Sequence, residues 1–343
     1  MHMNLARRGA LVLAAAGIAL GTAAFAGGAS ATTVYSHSVT PHVSALKVAL
    51  IAPSATNDLA FTQSMYAAIE SLKGSENLQI SVSSNEYVVS QAANIIQEYA
   101  SKGFNLIIAH GSQYGSIIES LAPKYPHVSF AWGTAGATFG LKNVFAYEAA
   151  SNEGGYVQGY MAALMSKSKV LGICGPIQTG DAKLYVDGFV AGAKAAAASG
   201  KFKVTSHAVY TGSFSDNSLM ASCAKTFVSN HADVLTGSSQ SVVGAIGVAK
   251  ADHKVWFGTQ WNQASIAPGN VVSSQVYNWV PILKQMITAI RAKTYGGATY
   301  VIGLGNGGER ISFNTKYKLS ASVKAAGLKM ISQITLGNIT VPQ

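Results

Sequence analysis

From Lys47 onward, short apolar runs alternate with longer helix-compatible segments, and this alternation constrains the fold more than any other feature of the chain. Runs at 48–52, 78–83, 106–109, 128–132 and 144–147 predict strands, and segments 61–72, 90–102 and 116–124 predict the helices between them. Strand, helix and strand in regular succession imply a parallel sheet, because parallel neighbours need a long crossover. Leu106-Ile107-Ile108-Ala109 has no polar face, as expected where helices cover both sides of the sheet.

The alternation begins afresh after Asn152-Glu153-Gly154-Gly155-Tyr156. Strands are predicted at 170–174, 204–210, 234–236 and 255–258, and helices at 184–198, 218–230 and 242–250. The four alanines Ala195 to Ala198 favour helix, and Ser199-Gly200 supplies a stop. A helix at 281–293, an apolar stretch at 300–305, a glycine turn and a final helix and strand complete the earlier units. A chain of 343 residues is long enough for two cores. The expected architecture is α/β, with two doubly wound lobes of parallel strands: residues 46–148 plus about 260–309 form lobe 1, and about 149–259 plus 310–343 form lobe 2. Chain crossings near 148, 260 and 309 make a hinge, and strand ends line the cleft beside it, where ligands of open α/β sheets bind.

Composition narrows the function classes. The chain carries 24 Lys and Arg against 14 Asp and Glu, a formal charge of +10, but the basic residues are scattered after the amino terminus. No tract for nucleic acid is expected. Arg7 and Arg8 precede an apolar run at 10–26 that ends in small residues, the layout of a cleaved signal peptide over residues 1–31 and hence of a periplasmic or extracellular protein. Cleavage after Ala24-Phe25-Ala26 or after Ala29-Ser30-Ala31 would suit a signal peptidase. The two cysteines, Cys174 and Cys223, read as small core residues. An oxidising compartment would also allow a bridge, and the sequence does not supply the geometry that decides it. No P-loop, HExxH, GxSxG or zinc-spaced cluster is present, so neither a catalytic residue nor a metal or cofactor is assigned.

The loop Ala55-Thr56-Asn57-Asp58-Leu59-Ala60-Phe61-Thr62-Gln63-Ser64 combines short polar side chains with an aromatic ring at a helix start. Asn57 or Asp58 could cap the helix, with Phe61 in the core; alternatively they bond a ligand on which Phe61 stacks. His110 ends a strong strand candidate and reads as a structural or ligand-polarising residue. Trp132, at another strand end, is a further stacking candidate.

This loop resembles the amino-terminal motif of the basic membrane protein family, which includes PnrA-like purine nucleoside-binding proteins. Later segments agree in order: Lys102-Gly103-Phe104-Asn105-Leu106-Ile107-Ile108, Glu153-Gly154-Gly155-Tyr156-Val157-Gln158-Gly159-Tyr160, Asp187-Gly188-Phe189-Val190-Ala191-Gly192, and the stretches 210–216, 303–311 and 334–342. The last resembles the family's terminal strand. The resemblance implies a type I periplasmic-binding-protein fold in a monomer, which passes a small purine-like molecule to an ABC permease in the membrane. It also implies aromatic rings about the base, with Phe61 on one side and Phe214, or else Phe189, on the other. The chain departs from the family at Gly258-Thr259-Gln260-Trp261-Asn262-Gln263, where amides replace two carboxylates, and at Ser274-Gln275-Val276-Tyr277-Asn278-Trp279, where aromatic residues replace a lysine. Gln260, Trp261, Asn262, Tyr277 and Trp279 therefore describe a more aromatic, less charged site. A neutral nucleobase is the first expectation and a nucleoside the second, because amides both donate and accept. A ligand-presenting sensor has the same cleft, and an exported nucleoside hydrolase would need catalytic groups that the motifs do not offer.

Overall fold

The structure is a computed structural model that describes residues 44–343. The expected signal peptide lies outside the described residues. In the first lobe, β1 (Leu46–Ile51), α1 (Phe61–Leu72), β2 (Leu78–Ser83), α2 (Val89–Ser101), β3 (Leu106–His110), α3 (Gly115–Leu121), β4 (Ser129–Gly133) and β5 (Val144–Ala149) follow in turn. In the second, the order is α4 (Ser151–Met165), β6 (Val170–Gly175), α5 (Gly180–Gly200), β7 (Thr205–Tyr210), α6 (Asn217–Ser229), β8 (Val234–Gly237), α7 (Val242–Ala251), β9 (Val255–Gly258) and β10 (Val271–Tyr277). The chain ends with α8 (Val280–Arg291), β11 (Thr299–Ile302), β12 (Glu309–Phe313) and α9 (Ala321–Thr335).

Two six-stranded sheets result, in the orders β2-β1-β3-β4-β5-β11 and β7-β6-β8-β9-β10-β12. Every pair in the first is parallel, and in the second only β12 runs antiparallel, against β10. The strand order reverses at β1/β3, where Val48 sits opposite Leu106, and at β6/β8, where Leu171 sits opposite Val234. Such reversal points open a crevice beyond the carboxyl ends of the strands.

The helices cover the sheets as their sequence spacing dictates. In α2, Ala92, Ile96 and Ala100 recur every four residues and form its buried stripe. In α8, Pro281 stands in the first turn, where its missing N–H costs nothing, and Ile282, Leu283, Met286, Ile287 and Ile290 face inward. The first sheet is packed on one side by α1 and α8 and on the other by α2 and α3; the second is packed by α4, α5 and α9 and by α6 and α7. Each fully buried Leu, Ile or Phe contributes about 1.5–3 kcal/mol.

Two expectations are corrected. The crossing placed near 260 falls later, because β10 bonds to β9 and β12 in the second sheet and the chain leaves that lobe only after Tyr277. The 334–342 segment is not a strand: Ile334 lies in the last turn of α9, and the residues after it form turns and coil. The carbonyls of Val341 and Pro342 instead accept from the Asn152 side-chain amide, at 3.1 and 3.0 Å. Backbone groups that a side chain satisfies need no ladder partner.

Cys174 and Cys223 form a disulfide across 49 residues of chain, tying β6 to α6. Closing a loop of that length restricts the unfolded chain, so reducing the bridge is expected to cost about 2–4 kcal/mol of stability. Urea unfolding with and without dithiothreitol measures this, and coincident midpoints would contradict it.

Candidate ligand-binding cleft

A small cavity lies where the carboxyl ends of both sheets meet. From the first lobe come Pro53 after β1, Phe61 at the start of α1, Tyr87 before α2, Gly111, Ser112 and Gln113 after β3, and Thr134 after β4. From the second come Thr179 and Asp181 after β6, Phe214 after β7, Gln240 after β8 and Gln260 after β9. Each of these strand ends points at the same space, because parallel strands share a direction.

Phe61 is held by a buried aromatic group. Its ring stacks on His110, with centroids 3.7 Å apart and planes 7° from parallel, and meets the edge of Trp279 at 6.4 Å. The Trp279 indole N–H donates to Ser64 Oγ at 2.8 Å. His110 is fully buried, with Nε2 3.1 Å from the Phe61 carbonyl and Nδ1 2.8 Å from the Tyr147 hydroxyl. A carbonyl only accepts, so the imidazole proton is on Nε2 and Tyr147 donates to Nδ1. Burial pushes the His110 pKa down to about 3. The ring is therefore neutral, with Nε2 spent on the Phe61 carbonyl and Nδ1 on Tyr147.

The other expected residues are placed as follows. Asp58 caps α1: Oδ1 accepts from the backbone N–H of Ala60 and Gln63, and Oδ2 from that of Thr62 and from Ser54 Oγ. Burial nevertheless raises its pKa. Asn57 is exposed beside it. Trp132 stacks on Phe139 at 4.8 Å, with its indole against Gly115. Trp261 is half-buried and lines a separate hollow with Ala68, Ser71 and Arg310. Asn262 is exposed and accepts from the Ala264 N–H. Phe189 is fully buried against Tyr185 and Phe257. Of the eleven expected ligand residues, Phe61, Phe214 and Gln260 line the cavity; Tyr277 and Trp279 are buried behind it.

Sequence reasoning missed Asp181. Its carboxylate, 6% exposed, accepts from the Thr134 hydroxyl at 2.9 Å through Oδ1, and from Gln260 Nε2 at 3.1 Å and the Tyr277 hydroxyl at 2.9 Å through Oδ2. The Thr134 bond joins the two lobes. Burial pushes the Asp181 pKa up, and the three donors offset part of the rise. Burial and the Asp181 charge together push Glu148 up to about 8. Asp181 sits in the first turn of α5, where an acidic residue complements the helix dipole; the helix expected at 184–198 begins too late to include it. Its place just after a predicted strand end was the available signal. Two amide oxygens on the lining, Gln240 Oε1 and Gln260 Oε1, are buried without a hydrogen-bond partner. Such orphans are rare in folded proteins and call for a ligand or water.

Two doubly wound lobes around a cleft at their strand ends define a solute-binding architecture. The chain belongs to the family of PnrA-like ABC transporter substrate-binding proteins, whose model matches residues 45–343. Substrate-binding proteins of this family are extracytoplasmic, and no helix among the described residues is long and apolar enough to cross a membrane. Similar proteins include basic membrane protein D of Borreliella burgdorferi, 29% identical over 86% of this chain and 87% of its own. The ABC transporter nucleoside-binding protein BmpA of Lactococcus lactis is 25% identical, covering 87% and 89%. A purine-binding protein of Brucella abortus is 29% identical, covering 55% and 52%. Among solved structures, an ABC transporter solute-binding protein of Conexibacter woesei shares the fold, with a TM-score of 0.71, 24% identity and coverage of 87% and 98%.

Proposed function

We propose that this protein, exported by a cleaved signal peptide and acting as a monomer, captures a purine nucleobase or nucleoside in the interlobe cleft and hands it to the permease of an ABC importer. One observation carries the reading: Phe61 and Phe214 line the same cavity as Gln240 and Gln260, whose amide oxygens lack partners. Aromatic faces suit a planar base and amide oxygens suit its polar edge. The names of the purine-binding and nucleoside-binding relatives point to the same class. No step of chemistry is required, since a receptor needs only a closed state that the ligand favours.

Isothermal titration of the protein against adenine, guanine, hypoxanthine and their nucleosides tests the proposal. At least one is expected to bind with a Kd of about 1 μM or below, a free energy near −8 kcal/mol. No heat from any of the six would overturn it.

A further inference from the structure

The cavity wall holds a single formal charge. Among the described residues Asp181 is its only ionisable carboxylate, and no Lys, Arg or His side chain of them lines it. The four donors that reach the carboxylate, from Thr134, Gln260, Tyr277 and the Asp181 backbone N–H, are neutral. A carboxylate accepts about four hydrogen bonds, two at each oxygen. Those four donors fill that capacity, so the open acceptors of the wall lie beside the carboxylate rather than on it.

Gln260 lies next to it, and its orientation is fixed. The amide NH2 donates to Asp181 Oδ2 and to Ser238 Oγ at 3.4 Å, so the other end, Oε1, is an acceptor, buried and without a partner. Gln240 Oε1 adds a second open acceptor on the same wall. Open acceptors beside an uncompensated anion are filled best by N–H groups, and best of all by N–H groups that carry positive charge. The Phe61 and Phe214 rings favour the same ligands, since aromatic faces attract cations.

We infer that the cleft selects its ligand by a donor-bearing edge, an exocyclic amine or a protonated ring nitrogen set against Gln260 Oε1 and Gln240 Oε1 beside the Asp181 carboxylate, and turns away ligands that carry phosphate. This rests on the purine reading above and narrows it to amino-purines. A phosphate would bring a second anion next to a buried carboxylate that has no countercharge.

The full chain is titrated with two matched pairs, guanosine against inosine and adenine against unsubstituted purine, and with guanosine monophosphate. In whichever pair binds, the amine-bearing member is expected to bind about tenfold tighter or more. The monophosphate is expected to bind at least about tenfold more weakly than guanosine. Asp181→Asn, which substitutes a neutral amide, is expected to reduce the amine preference. Equal affinity within both pairs, or a monophosphate as tight as its nucleoside, overturns the inference while leaving the purine reading intact. Absence of binding by every purine overturns both. The ligand pairs need no variant, so a misfolded Asp181→Asn protein does not affect the outcome.

Discussion

Phe61→Ala is expected to weaken ligand binding by about tenfold to a hundredfold and to destabilise the first lobe by about 3–5 kcal/mol. The binding loss follows from the Phe61 position: the ring lines the cavity while one of its faces is covered by His110. Removing a stacked ring costs roughly 1–3 kcal/mol of binding. The stability loss follows from burial, since Phe61 is only 4% exposed and touches Trp279 as well as His110. Truncation would leave a void among groups that hydrogen bonds already hold in place, so they cannot close over it. Phe61→Leu separates the two effects, because it keeps most of the buried volume but has no π face. Calorimetric titration and urea unfolding of both variants measure the outcome. Unchanged affinity in a folded Phe61→Leu protein would count against stacking at this position.

The second large effect concerns the helix pair of the other lobe. Gly155 and Gly159 on α4 face Gly188 and Gly192 on α5, and the backbones lie against each other at these points. A Cβ at Gly159 would stand 1.9 Å from the Phe189 carbonyl oxygen, and one at Gly192 would stand 2.0 Å from that of Tyr156. Both obstacles are backbone atoms, so no rotamer change relieves them and the helices must separate. Overpacking of this kind costs about 1–3 kcal/mol, and rigid backbone obstacles place Gly159→Ala at the upper end. The double variant Gly159→Ala/Gly192→Ala is expected to lose more than either single one. Because α4 begins where the chain enters the second lobe, the shift would also move the cleft wall at Asp181. Urea midpoints of the single and double variants test this, and a Gly159→Ala protein as stable as the parent would disprove the close contact.

Much of the architecture was legible because it depends on local pattern. The fully apolar run at β3 can only be covered on both faces, and the stripe Ala92, Ile96, Ala100 can only be a helix packed along one side. The spacing of Gly155 from Gly159, and of Gly188 from Gly192, is likewise in the sequence, but which helix each pair would meet is not. Placing residues from about 260 in lobe 1 failed for a related reason: the buried strand Val271–Tyr277 would fit either sheet, and its hydrogen bonds to β9 and β12 settle the choice.

In the cleft, the amino-acid order made Phe61 legible as an aromatic ring at a helix start, while Phe214 and Gln260 were found by resemblance to the family and by departure from its pattern. Only the tertiary structure decided what surrounds each of them. Trp279, Tyr147 and His110 stand behind Phe61 because strands far apart in the chain bring them there, and their polar atoms are spent within the group, on Ser64 and on the Phe61 carbonyl. Asp181 becomes a cleft residue because Thr134, Gln260 and Tyr277, which lie 47, 79 and 96 positions away, converge on its two oxygens. A sequence records which groups can donate or accept, whereas only packing fixes which are left with an open valence, and that remainder is what a ligand meets.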